Sequence, residues 1–81
     1  MFAKIFETKE HGQILVKIDT DEESNPEVRF YFEPEGLGVC SMAISNEDSD
    51  EGWKIIEKVF DKFDEEAAIK AVVGLKDELK I

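Results

Sequence analysis

Asp48–Phe63 reads DSDEGWKIIEKVFDKF, and its spacing breaks with everything before it. Trp53, Ile56, Phe60 and Phe63 recur at intervals of three, four and three, which is one face of a helix. Lys54, Lys58 and Lys62 mark another side, with Glu57 and Asp61 beside them. Asp48 and Glu51 form the D-x-x-E pattern of a capped helix start. Past Phe63 the same register would run through Ala67, Lys70 and Gly74, so the apolar stripe fails there. A second stripe takes over at Ala68, Val72, Leu75 and Leu79. Asp64, followed by Glu65 and Glu66, reads as a fresh N-cap with an acidic first turn. The spacing predicts two helices, about Asp50–Phe63 and about Glu65–Lys80. One bent helix is the alternative.

Upstream the period is two. Gln13–Asp19 (QILVKID) sends Ile14, Val16 and Ile18 to one face and Leu15, Lys17 and Asp19 to the other. Glu27–Glu33 (EVRFYFE) separates Val28, Phe30 and Phe32 from Arg29 and Tyr31 in the same way. Phe2–Thr8 (FAKIFET) reads as a first strand with apolar residues on both faces, and Leu37–Ile44 (LGVCSMAI) as a fourth with weaker alternation. Lys9–Gly12, the acidic Thr20–Pro26 and Pro34-Glu35-Gly36 are the connections, each with turn chemistry. The expected order is ββββαα. Short connections favour sequential neighbours, hence a four-stranded antiparallel meander with the helices packed on one face. Trp53, Ile56 and Phe60 should then meet Ile14, Val16, Phe30 and Phe32. The 81 residues suffice for one α+β domain, residues 1–81, with a thin core.

The charge is the loudest compositional signal. The net value is −10, and residues 19–53 hold eleven acids against a single Arg. Such a balance opposes direct binding to nucleic acid or anionic membrane, which require positive charge. It suits a protein partner, above all a basic one. A meander places the loop after the second strand and the loop after the fourth at the same end of the sheet. Asp19, Asp21, Glu22, Glu23 and Glu27 are thereby expected to join Glu47, Asp48, Asp50 and Glu51 in one acidic pole. The competing explanation is a pair of solvated loops that keep a small protein soluble.

The outer sheet face offers a second surface. If Ile14, Val16 and Ile18 face the helices, Leu15 and Tyr31 face away. The first strand must then expose either Ile5 or the pair Phe2 and Phe6. Leu15, Tyr31 and Ile5 would make an apolar patch of the kind that marks protein contacts. The unpaired edge of the first strand is a further place for strand addition or homodimerisation.

Chemistry-bearing motifs are sparse. Asn46–Glu57 carries side-chain oxygens at positions 1, 3 and 5 and a Glu at position 12, as a calcium loop does. The obligatory Gly at position 6 is Glu51 instead, and position 9 is Lys54. Cys40 is the lone cysteine and suits a small buried hydrophobe. It excludes an internal disulfide, so an intracellular, cytoplasmic setting is expected. Met1–Ile5 is followed at once by charge, unlike a signal peptide, and no apolar run is long enough to span a bilayer. His11 stands alone in a turn, Glu33 and Glu35 flank Pro34 outside any evident cleft, and Gly36-Leu37-Gly38 lacks the helix that a phosphate loop requires. No catalytic residue, metal site or cofactor is expected. The favoured function is a non-enzymatic interaction module. A DNA-mimicking acidic inhibitor and a small enzyme subunit with a site completed on oligomerisation are the alternatives.

Overall fold

The computed structural model describes residues 2–80. Four strands are followed by two helices: β1 (Phe2–Thr8), β2 (Gly12–Thr20), β3 (Pro26–Phe32), β4 (Cys40–Ser45), α1 (Asp50–Lys62) and α2 (Glu65–Leu79). The sheet order is β1-β2-β3-β4 with every pair antiparallel, so the meander read from the short connections is the observed fold.

Alternation along β2 and β3 builds the core. Ile14, Val16, Ile18, Val28, Phe30 and Phe32 are all buried on one face. Ile56, Phe60 and Phe63 come down from α1 and its end, and Ala68 and Val72 from α2. The Phe30 ring lies 6.0 Å from Phe63 and 6.2 Å from Phe32, so aromatic area fills the centre of a small core.

The two-helix reading holds, and the break has a local cause. Phe63 leaves helical dihedrals at φ −79 and ψ 87. Asp64 Oδ1 then accepts from Ala67 N at 2.8 Å and opens α2. The first cap differs from the D-x-x-E expectation. Ser49 is the N-cap of α1, its hydroxyl accepting from Gly52 N at 3.0 Å. Asp48 instead accepts from the Trp53 indole N–H at 3.2 Å. Gly52 is required there. A Cβ at that position would collide with the Glu47 carbonyl oxygen, which the turn presses against the helix start.

The fourth strand also starts later than its apolar residues suggest. Pairing ends at Phe32↔Cys40, and Glu33–Val39 form a connection closed by Leu37 N donating to Pro34 O at 3.1 Å. Gly36 supplies φ +83 in that turn. Pro34 has no N–H to give a ladder, so the chain loops outward before β4 can pair.

Lys4 lies on the helix side of β1, between Phe2 and Phe6. Its ammonium donates to Phe60 O at 2.5 Å and to Phe63 O at 3.4 Å, and sits 4.5 Å from the Phe60 ring centre. A positive charge thus closes the C-terminal end of α1, where free carbonyls and the helix dipole favour a cation.

Candidate functional site

The register assembles the outer face. Ile5 stands opposite Leu15, Leu15 opposite Tyr31, and Tyr31 opposite Ser41. Ile5, Leu15 and Tyr31 therefore form one row across three strands, and of the two options for β1 it is Ile5 that joins them. Ile5 is 59% exposed, while Leu15 and Tyr31 are half-buried. Leu15 and Tyr31 also line a shallow trough with Leu37, Val39, Glu33 and Glu35, between the β1–β2 turn and the β3–β4 connection. The next row holds Lys17 and Arg29, with the Lys17 ammonium 5.8 Å from the Tyr31 ring centre. The patch is apolar along its middle, acidic on the trough side and basic on the other.

The acidic loops meet at one end of the sheet. Asn46 N donates to Pro26 O, and Asp48 N to Asn25 Oδ1, both at 3.1 Å, so the two loops are bonded to each other. Several of their acids are engaged within the fold. Asp21 Oδ1 accepts from Glu23 N at 2.8 Å and Asn25 N at 2.9 Å, holding its own loop. Asp19 Oδ1 accepts from Thr20 N. Glu27 is only 8% exposed and takes Arg29 through both carboxylate oxygens, at 3.0 and 3.3 Å. Hydrogen bonding to Glu27 holds the Arg29 guanidinium above its ordinary pKa. The same guanidinium reaches Ser41 Oγ at 3.0 Å. Glu22, Glu23, Glu47, Asp50 and Glu51 are exposed, and Asp50 and Glu51 also favour the α1 dipole from its first turn.

The remaining motifs resolve into structure. In Asn46–Glu57 the Asn46 side chain accepts from Glu47 N, and Ser49 and Asp48 serve the helix start as above. Those oxygens point at the chain itself rather than converging on a point. Among the described residues no group of three His, Cys, Asp or Glu could hold a metal ion. His11 Nδ1 lies 3.2 Å from Lys76 Nζ, and since an ammonium only donates, the ring nitrogen accepts. Cys40 lies on the opposite edge strand from β1, partly buried against the core, with its thiol 3.7 Å from Gly38 O. Among the described residues no helix is long and apolar enough to cross a membrane.

Exposed apolar side chains also remain on the helix side of the sheet, Phe2 in addition to Ile5 rather than in its place, and Met42 and Ile44 with no signal in the sequence. Phe2 is 72% exposed although its register partner Ile18 is buried, and it borders a groove with Trp53 and Phe60. Met42 and Ile44 pair with buried Phe30 and Val28, yet are 45% and 47% exposed. Both lie on the helix side of the outermost strands, where the cover thins. No family model, curated protein or solved structure matches this chain.

Proposed function

We propose that this protein is a non-catalytic interaction module that docks a protein partner on its outer sheet face. The observation that carries the reading is the register that lines Ile5, Leu15 and Tyr31 into one apolar row. Ile5 is largely exposed, and Leu15 and Tyr31 are half-buried on the face away from the helices; exposed apolar patches rimmed by polar groups are what protein partners cover. Tyr31 is the natural anchor, since Tyr offers large area with few rotatable bonds and is enriched at energetic centres of interfaces. The net charge of −10 favours a basic partner and would draw it in from a distance. The acidic pole then acts on approach, while the apolar row supplies the lasting contact.

The test compares two variants for retention of partners from native cell extract. Leu15→Lys with Tyr31→Lys changes the row. Glu22→Lys with Glu23→Lys changes the pole and leaves the row intact. Both sets lie outside the core, so circular dichroism should show wild-type folding. The expected result is a partner lost by the row variant at every salt concentration, and slowed but retained by the pole variant. A partner retained by the row variant and lost by the pole variant would transfer the site to the acidic loops.

A further inference from the structure

α1 packs over β2 and β3, and a groove of about 570 Å³ remains between it and the start of β1. Ligand pockets run to about 300–1,000 Å³, so this one has room for side chains. Ile18 and Phe60, both buried, form its floor. Phe2 borders it from β1 and stays exposed. On the helix side stand Trp53, Glu57 and Asp61. They are spaced by four and so form one row along α1.

That row breaks two local rules. Glu57 and Asp61 are like charges at i and i+4, which repel on a helix surface. Asp61 also lies in the last turn of α1, where the helix dipole disfavours a carboxylate. Neither carboxylate makes a hydrogen bond or ion pair among the described residues. Lys4 is the one base lining the groove, and its ammonium is taken by the main-chain carbonyls of Phe60, Asp61 and Phe63. Local conflicts that the fold does not offset are expected where a surface serves function.

We infer that this groove receives an arginine-bearing apolar segment of a protein partner. Charge complementarity selects the arginine, because the two carboxylates on the row are mutually repelling and a cation between them relieves both. The aromatic wall selects arginine over lysine. A planar guanidinium stacks on a ring such as Trp53 and takes carboxylates through two donors at once. Its methylene stem covers apolar surface on the way, here Phe60 and Ile18. An apolar neighbour in the same segment covers Phe2. A bare cation would leave Phe2 wet, and an acidic segment would add to the repulsion. The groove lies on the helix side of the sheet, so it is a second contact surface that does not depend on the outer row of Ile5, Leu15 and Tyr31.

Trp53 is the chain's one tryptophan, so its fluorescence reports on the groove directly. The probe is a short peptide alternating leucine and arginine, free of aromatic residues. Its titration should give a saturable change in Trp53 emission. Glu57→Gln with Asp61→Asn should weaken binding at least about tenfold. Glu22→Gln with Glu23→Gln removes the same charge from the acidic pole and should change binding by less than about twofold, since salt screens that distance. Phe2→Ser should weaken it about fivefold or more by removing apolar contact. All five of these side chains are exposed, so the variants keep the fold. Leu15→Ser with Tyr31→Ser, on the outer face, should leave binding unchanged, which separates this site from the outer row. A peptide with serine in place of leucine should bind at least about tenfold more weakly. Emission that does not saturate at millimolar peptide overturns the inference. So does equal binding of the serine peptide, or equal loss in the two carboxylate pairs, since either would mean attraction by net charge alone. Loss in the outer-face variant with none in Glu57→Gln and Asp61→Asn overturns it as well.

Discussion

Ile14 and Leu15 are neighbours of nearly equal size and apolarity, and they live in opposite surroundings. Ile14 is fully buried beneath the helices, opposite Phe6. Leu15 points the other way, into the half-buried to exposed row of Ile5 and Tyr31 on the face away from the helices. The apolar residues of this small protein therefore fall into two groups, those that hold the fold and those the fold leaves open. Over β2 and β3 the helix layer decides which is which, because a single sheet must bury one face and is free to present the other, while on the outer strands Phe2, Met42 and Ile44 stay exposed on the helix side itself.

Truncating each neighbour breaks the comparison most sharply. Ile14→Ala should cost about 2–5 kcal/mol through lost transfer energy and a residual cavity. For a domain whose whole stability is on the order of 5 kcal/mol, much of the population would unfold. Leu15→Ala should cost about 1 kcal/mol or less, since little of its packing lies within the chain. Urea denaturation of the two variants measures the gap. Equal midpoints would mean that the outer face is held as firmly as the core.

The same contrast extends to added bulk. Gly52 and Gly74 are both helical glycines, for which alanine ordinarily gains about 0.5–1 kcal/mol. Gly74 has nothing within 4 Å of an added Cβ, so Gly74→Ala should raise the thermal midpoint. At Gly52 the Cβ would meet the Glu47 carbonyl and lie 3.1 Å from the Ser49 hydroxyl. Gly52→Ala should instead cost about 1–3 kcal/mol, because a backbone atom has to move. Midpoints shifting in the same direction would refute the close approach.

Lysines on the two faces sharpen the comparison at a finer scale. Lys4, on the helix side, closes the end of α1, so Lys4→Met should cost about 1 kcal/mol. Lys17, on the outer face, makes no side-chain hydrogen bond or ion pair among the described residues, its ammonium lying 5.8 Å from the Tyr31 ring centre, and Lys17→Met should change stability by about 0.5 kcal/mol or less. The Lys4 deficit should persist in high salt, because its bonds are partly shielded from water.

Much of this was legible in the residues, and the misses share a cause. β2 and β3 each have a strand on both sides and one covered face, so their alternation is clean. The helix break was legible because Asp64, Glu65 and Glu66 restart the capping chemistry within a few residues. The start of β4 was misplaced because Leu37 and Val39 are apolar like strand residues, while pairing depends on where Pro34 and Gly36 let the chain return. The first cap was misplaced by one residue, since Asp48 and Ser49 are both good caps. The choice between them rests on Asn25 holding Asp48 N, a contact across 23 positions. The role of Lys4 depends on a helix end 56 residues away, and no local pattern announces it. The engagement of Glu27 did have a local signal. Arg29 is the single base among residues 19–53, two positions along on the same strand face. The residues of the outer row were legible as a set. Their alignment required the turn lengths, which fix the register.

The acidic loops supply the smallest expected effect, and it separates charge that is used from charge that is only displayed. Glu22, Glu23 and Glu47 make no side-chain hydrogen bond or ion pair among the described residues, whereas Asp21 anchors its loop through two backbone amides. Changing the three glutamates to glutamine should raise stability by a few tenths of a kcal/mol at low ionic strength, by relieving repulsion between the joined loops. The gain should vanish as salt shortens the screening length below the spacing of the charges. Asp21→Asn moves the other way. It weakens the acceptor for Glu23 N and Asn25 N, and should cost about 0.5–1 kcal/mol at any salt concentration, since the loss is one of hydrogen bonding rather than long-range field. Paired melts at low and high salt resolve the two signs. If the glutamine variant were destabilised, the three glutamates would be holding the loops together, and the displayed charge would belong to the fold rather than to whatever approaches it.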